Sequence, residues 1–261
     1  MKRKKTVVFL LMVVLIMAFI GCSQCNTECD VDTTIGNLSE PSSKTLTLID
    51  KTIKVEDTFD ISDESVIQTT PIHACFTQIY PNLESIYDKA ENVVVGTVIE
   101  VQYTDEDAKP RTIYSFQISE VLKGDIMPNT LISVAESNGY VRLSKFIEKY
   151  GADHFENLTE EEITNSVFLQ SIEGAPLAAE GETYVAFLSE KKTEGQLAGA
   201  YVVIGNFMGK YVLNTASKLY ERFTPSTDPE FYVVEASNGR TISAEQPMSL
   251  DEIKSVIDGI A

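Results

Sequence analysis

Basic residues, histidine, cysteine and tryptophan are all scarce in this chain. Its 261 residues hold 21 Lys and Arg against 39 Asp and Glu, two His, four Cys and no Trp. The resulting formal charge of −18 argues against a general nucleic-acid binder, which needs a basic surface to neutralise phosphates. Two His and four Cys leave little material for a His-rich metal site. The patterns of common catalytic machinery are missing too: there is no Gly-x-Ser-x-Gly elbow, no His-Glu-x-x-His, no Walker-type phosphate loop and no Gly-x-Gly-x-x-Gly. No catalytic residue, metal or cofactor is therefore expected. A core is not missing. The hydrophobic fraction of 43% is ordinary for a packed domain, and the length allows one large or two small domains.

The charge is unevenly distributed. Lys2, Arg3, Lys4 and Lys5 precede an apolar run of 14 residues, Val7 to Ile20, and residues 1–21 contain no Asp or Glu. That run is short of the roughly 20 residues a bilayer span needs, and a basic segment before a short apolar one reads as a secretory signal. The run ends Phe19-Ile20-Gly21-Cys22. This resembles the bacterial lipobox, with Phe19 in place of the usual Leu. The resemblance implies cleavage before Cys22 and lipidation of that residue, with fatty acids such as palmitate anchoring the protein to the extracytoplasmic face of the cell membrane; the alternative is an uncleaved signal anchor. Loss of the four basic residues takes the charge from −18 to −22, and such a body is mildly repelled by an anionic lipid surface.

Residues 22–70 read as a flexible linker: the stretch after Cys22 is polar and punctuated by Gly, Pro, Ser and Asn without a period. Two short strands at 45–49 and 51–55 are expected within it, followed by an acidic run, Glu56 to Glu64. Cys22, Cys25 and Cys29 superficially suggest a metal cluster. Lipidation of Cys22 and the oxidising environment of an exported protein argue against that. A disulfide from Cys25 or Cys29 to Cys75 would pin the linker to the domain, with unpaired thiols as the alternative.

Residues 71–261 carry a globular, mainly β pattern (α+β). A short helix is expected over Pro81 to Ala90. Val93 to Tyr103 reads as a strand with Val95, Thr97, Ile99, Val101 and Tyr103 on one side, and Gly96 suggests a bulge or bend. Thr112 to Leu122 is the clearest strand, with Tyr114, Phe116 and Ile118 facing a core and Ser115, Gln117 and Ser119 facing water. Further strands are expected at Thr130 to Ala135, Ser166 to Ile172 and Thr183 to Leu188. Residues 141–166 read as a helical insertion, with Thr159 and Glu162 as a capping box. Gly205-Asn206 and Asn238-Gly239 signal hairpins. Ser249 to Glu252 opens a closing helix through Ile260 with an apolar stripe of Leu250, Ile253, Val256, Ile257 and Ile260.

The runs Asn92-Val93-Val94-Val95-Gly96-Thr97-Val98, Glu120-Val121-Leu122-Lys123-Gly124-Asp125 and Gly181-Glu182-Thr183-Tyr184-Val185-Ala186-Phe187-Leu188 resemble a module of uncharacterised bacterial extracytoplasmic lipoproteins. The resemblance implies a small OB-like β-barrel, of the OB or netrin-like (tissue-inhibitor-like) sort, with a helical insertion and a C-terminal helix. It implies no active-site residue.

Weaker candidates remain. Ser189 and Lys192 match Ser-x-x-Lys without its partner motifs. His73 and His154 read as surface or capping residues. Asp105-Glu106-Asp107 lacks the spacing of a calcium loop and reads as a solvated turn. Tyr201, Tyr211 and Tyr232 would form either a recognition face or core with hydroxyls at the rim. The leading expectation is a membrane-anchored binding or protein-interaction module at the cell surface, partnered by the membrane through its lipid and by an unknown protein or envelope ligand, not by nucleic acid. The alternatives are an envelope hydrolase using carboxylates and a surface protease inhibitor-like protein.

Overall fold

A computed structural model describes residues 57–59, 61, 65–72, 78–153, 155–225 and 245–260. All described residues belong to one compact unit, Thr45–Ala261. Its strands are β1 (Thr58–Phe59), β2 (Ser65–Ile72), β3 (Asn92–Thr104), β4 (Arg111–Lys123), β5 (Leu131–Glu136), β6 (Gly139–Arg142), β7 (Ser166–Ile172), β8 (Thr183–Leu188), β9 (Tyr201–Val202), β10 (Lys210–Asn214) and β11 (Leu219–Arg222). The helices are α1 (Leu83–Tyr87), α2 (Leu143–Tyr150), α3 (Glu160–Thr164) and α4 (Leu250–Ile260).

The protein is mainly β. An eight-stranded mixed sheet runs β11-β10-β8-β3-β4-β5-β9, with β1 pairing the end of β3. A second sheet, β2-β7-β6, pairs β2 parallel to β7, so residues at the end of the segment read as linker take part in a sheet. Strands β3 and β8 are central, and β8 and the first half of β3 are buried on both faces. Val93, Val95, Val185 and Phe187 join one core with Leu83 and Ile86 of α1 and Ile253 and Ile257 of α4. Val94, Tyr184, Ala186 and Leu188 join another with Tyr114, Phe116 and Val134. Such strands read as continuous apolar runs rather than alternating ones, which accounts for Val93-Val94-Val95 and Tyr184 to Leu188.

Strand β4 follows its expected alternation on the apolar side: Tyr114, Phe116 and Ile118 are fully buried. Strand β3 does not follow the expected even alternation. Its register against β4 shifts after Val93, Val95 and Val98, and Ile99 ends 52% exposed. Each extra residue in a bulge reverses the face of those that follow it. Gly96 sits at the middle shift, and a Cβ there would stand 2.7 Å from the Gln117 carbonyl oxygen and 2.9 Å from the Phe116 ring. Gly96→Ala is expected to lower unfolding stability by about 1–3 kcal/mol through overpacking, read as the urea midpoint by far-UV circular dichroism; an unchanged midpoint would contradict this contact.

Two other expectations change, and one strand is new. Gly205-Asn206 does not make a hairpin: β9 runs parallel to β5 and β10 antiparallel to β8. The intervening turn places Phe207 and Met208 in the core, and their burial decides the route of the chain over the local reverse-turn preference. Gly205 there has φ of 64° against the Tyr80 ring. The insertion opens with a strand, since β6 pairs β7 before α2 begins. Strand β11 has no counterpart in the sequence reading.

The ladders leave the large sheet open between β9 and β8, so they do not form the closed barrel expected. The seam is crossed by one bridge, Leu188 with Val203. Beside it Ser189 N–H donates to Val202 O and Ile204 N–H to Phe187 O, both at 2.9 Å. The helical insertion and C-terminal helix are present: α2 and α3 pack Phe146, Ile147 and Ile163 over Val141, Leu143 and Phe168, and α4 covers α1. Both capping boxes form, Thr159 with Glu162 and Ser249 with Glu252.

Candidate functional site

A cleft of about 350 Å³ opens between β10, β11 and the loop that leads into β8. Pro176, Leu177, Val212, Leu213 and Phe223 supply its apolar lining, and Glu182, Lys210, Glu221 and Arg222 bring charge. Lys210 opens β10 opposite Ala186 of β8, and its ammonium lies 5.0 Å from the centre of the Tyr184 ring. Glu136 ends β5 and receives that ammonium on both oxygens, at 2.9 and 3.0 Å. Each of the two residues is only 4% exposed. A charge so deeply buried persists only when paired and hydrogen-bonded.

Tyrosines surround this pair. Tyr184 donates its hydroxyl to Glu182 Oε2, which also accepts from Ala179 N–H at 3.0 Å. Burial pushes the Tyr184 hydroxyl far above the ordinary tyrosine range, and the hydrogen bond to Glu182 adds to this. It therefore stays a donor at any ordinary pH. The Tyr114 hydroxyl is wholly buried with no hydrogen bond of good geometry among the described residues, and burial likewise raises it well above the ordinary value, with nearby Glu136 adding to the effect.

The Arg222 guanidinium donates to the carbonyls of Tyr80 and Pro81 at 2.9 and 2.7 Å and lies 3.2 Å from Glu245. Glu245 also receives the Tyr211 hydroxyl at 2.6 Å and Leu83 N–H at 2.9 Å. These bonds join the entrance of α1, strands β10 and β11 and the segment before α4. Lys210, Glu136, Arg222 and Glu245 are each paired internally. The arrangement orients side chains around a cleft and leaves neither Lys210 nor Arg222 free for proton transfer.

A second charged cluster lies at the far end of β3. Asp105 is fully buried, accepts from Arg142 N–H, Nε and Nη2 at 2.9, 3.0 and 2.6 Å and lies 3.3 Å from Lys145. Asp57 also receives Arg142, at 2.8 Å, and Lys145. Lys145 first, then Arg142, hold the Asp57 carboxyl below its ordinary value of 3.8. Its contribution to stability is thus complete above that value and is lost as pH falls through the lower, folded one.

The sequence candidates fall differently. Asp105 is the buried anchor of an ion-pair cluster rather than part of a solvated turn. Ser189 Oγ donates to Glu190 O and accepts from Val202 N–H, a strand-end role. Tyr211 is core with its hydroxyl on Glu245, and Tyr201 is half-buried in β9. Cys22, Cys25, Cys29, Cys75, His73, His154 and Tyr232, with the strands at 45–55 and the Asn238-Gly239 hairpin, lie outside the described residues. Glu136, Glu182, Lys210 and Arg222 were not singled out by sequence. The partners of Glu136, Lys210 and Arg222 lie far away in the chain, whereas Glu182 is held by its near neighbours Ala179 and Tyr184; the local signal is a charge inside an otherwise apolar stretch, as at Lys210 before Tyr211-Val212-Leu213.

Among the described residues, no three His, Cys, Asp or Glu side chains are placed to hold a metal ion, and no helix is long and apolar enough to cross a membrane. The chain matches no protein-family model, no curated protein and no solved structure.

Proposed function

We propose that this protein is an exported lipoprotein, cleaved before Cys22 and held by its lipid on the extracytoplasmic face of the membrane, where its β domain serves as a non-catalytic binding module. The basic segment, the 14-residue apolar run and Gly21-Cys22 support the anchor. Acyl chains contribute about 0.8 kcal/mol per buried CH₂, and two or more make attachment stable. An OB-type barrel is supported by the strand order: β3, β4, β5, β9 and β8 follow one another, and the Leu188–Val203 bridge leads from β9 back to β8. Partly open five-stranded barrels of this sort use one face and its loops for ligands.

The observation that carries the binding role is the cleft beside Lys210. Half of its lining residues are apolar, and its two cations are neutralised by internal partners, which suits preorganised recognition. The anchor is tested by growing cells expressing the full chain with radiolabelled palmitate. Label is expected in the wild type and absent from Cys22→Ala, which should also leave the membrane fraction. Equal labelling of both, or none in either, overturns the lipoprotein reading.

A further inference from the structure

The polarity of the cleft identifies what it takes. Lys210 is held by both oxygens of Glu136, and Arg222 by Glu245 and two backbone carbonyls, so neither is an open counter-ion for an anionic ligand. The two carboxylates on the cleft differ in this respect. Glu182 uses Oε2 for both of its contacts, from Tyr184 and Ala179. Glu221 uses Oε1 for Asn214 Nδ2, at 3.0 Å. Each carboxylate is thereby oriented through one oxygen, while the second carries no hydrogen bond among the described residues. Val212 lies opposite Glu221 across the β10–β11 ladder and opposite Tyr184 across the β10–β8 ladder, and it shares the cleft lining with Leu177 and Phe223. Two preoriented carboxylates over an apolar surface match a cation on an apolar stem. Lys and Arg side chains have this form, since their stems pack on apolar surface while the charged head reaches a polar partner.

We propose that the cleft binds a Lys or Arg side chain presented by an extended, apolar segment of a partner polypeptide; this rests on the binding-module reading above. The chain's net charge of −18 adds long-range attraction for such a partner and accelerates encounter at low salt. Charge-assisted hydrogen bonds to Glu182 and Glu221 supply the short-range selection.

The test is calorimetric titration of the detergent-solubilised full chain with three probes: an end-blocked heptapeptide of alternating Val and Lys, the same peptide with Glu for Lys, and an oligosaccharide of four N-acetylglucosamine units. The Lys peptide is expected to bind saturably and the other two not. Glu182→Gln with Glu221→Gln should weaken it by about tenfold per carboxylate. A control with the same net charge, Glu148→Gln with Glu194→Gln at exposed positions remote in sequence, should change it by less than about twofold. Equal weakening by both pairs overturns the proposal, because attraction would then be to net charge alone. If the Glu182 change unfolds the protein, Glu221→Gln alone carries the test, since Glu221 is exposed and held by Asn214. Saturable binding of the oligosaccharide or the Glu peptide, abolished by Leu177→Asp, overturns the cation while keeping the cleft as a binding site. No binding of any probe overturns the cation and also removes the cleft's support for the module reading.

Discussion

Lys210→Met lowers the free energy of unfolding by about 3–5 kcal/mol, the cost of leaving a buried partner charge uncompensated. Glu136 would then lie 4% exposed without its Lys210 counter-ion, beside the buried Tyr114 hydroxyl. The double change Lys210→Met with Glu136→Leu removes both charges and replaces them with apolar groups of similar bulk. It should recover most of the loss, because a buried ion pair and a packed hydrophobic pair are often nearly equivalent in stability. Urea denaturation of the four proteins in the cycle measures the coupling. A single change costing less than about 1 kcal/mol, the size of an exposed pair, would show that water reaches Glu136 and that the pair is not buried as described.

Asp105→Ala is the second large effect, at about 3 kcal/mol, since it removes three hydrogen bonds from Arg142 and leaves a wholly buried site empty of its anion. The loss falls toward the lower end because Arg142 is 22% exposed at its side chain and keeps Asp57. Asp57→Ala removes partners that are partly solvated, so about 1 kcal/mol or less is expected. Comparing the two by chemical denaturation separates the buried anchor from the exposed one. Equal costs would mean that Asp105 is no more important to the cluster than Asp57. Hydrogen exchange at Thr104, which pairs with Thr58 of β1, should accelerate in Asp105→Ala, because the cluster ties β6 and α2 to the end of β3.

Local features were legible wherever a few neighbouring residues decide the outcome. The alternation of Tyr114, Phe116 and Ile118 placed β4. Ser166 to Ile172 and Thr183 to Leu188 placed β7 and β8. Thr159 with Glu162 and Ser249 with Glu252 marked two helix starts, because a capping box is complete within four residues. Gly96 marked a bend in β3. The faces of β3 were not legible, because its three register shifts depend on how β4 lies against it. Residues 205–209 have the local look of a hairpin, yet Phe207 and Met208 are drawn into a core built by α1, α4 and β8. Asp105 looked solvated because its own neighbours are polar; Arg142, which buries it, lies 37 positions away.

By itself, the sequence determined the acidic character of the chain, the signal-like N-terminus ending at Cys22, and a mainly β domain with two capped helices and its regular strands. Periodicity, composition and capping act over a few residues, and burial of an apolar face needs no specified partner. Tertiary structure alone decided the open strand order, the parallel pairing of β2 with β7, and the charge pairs around the cleft. Lys210 meets Glu136 across 74 positions. Nothing in the side chain of a Lys or Glu names its counter-ion. Only the fold brings the two together in a place dry enough for the pairing to be necessary.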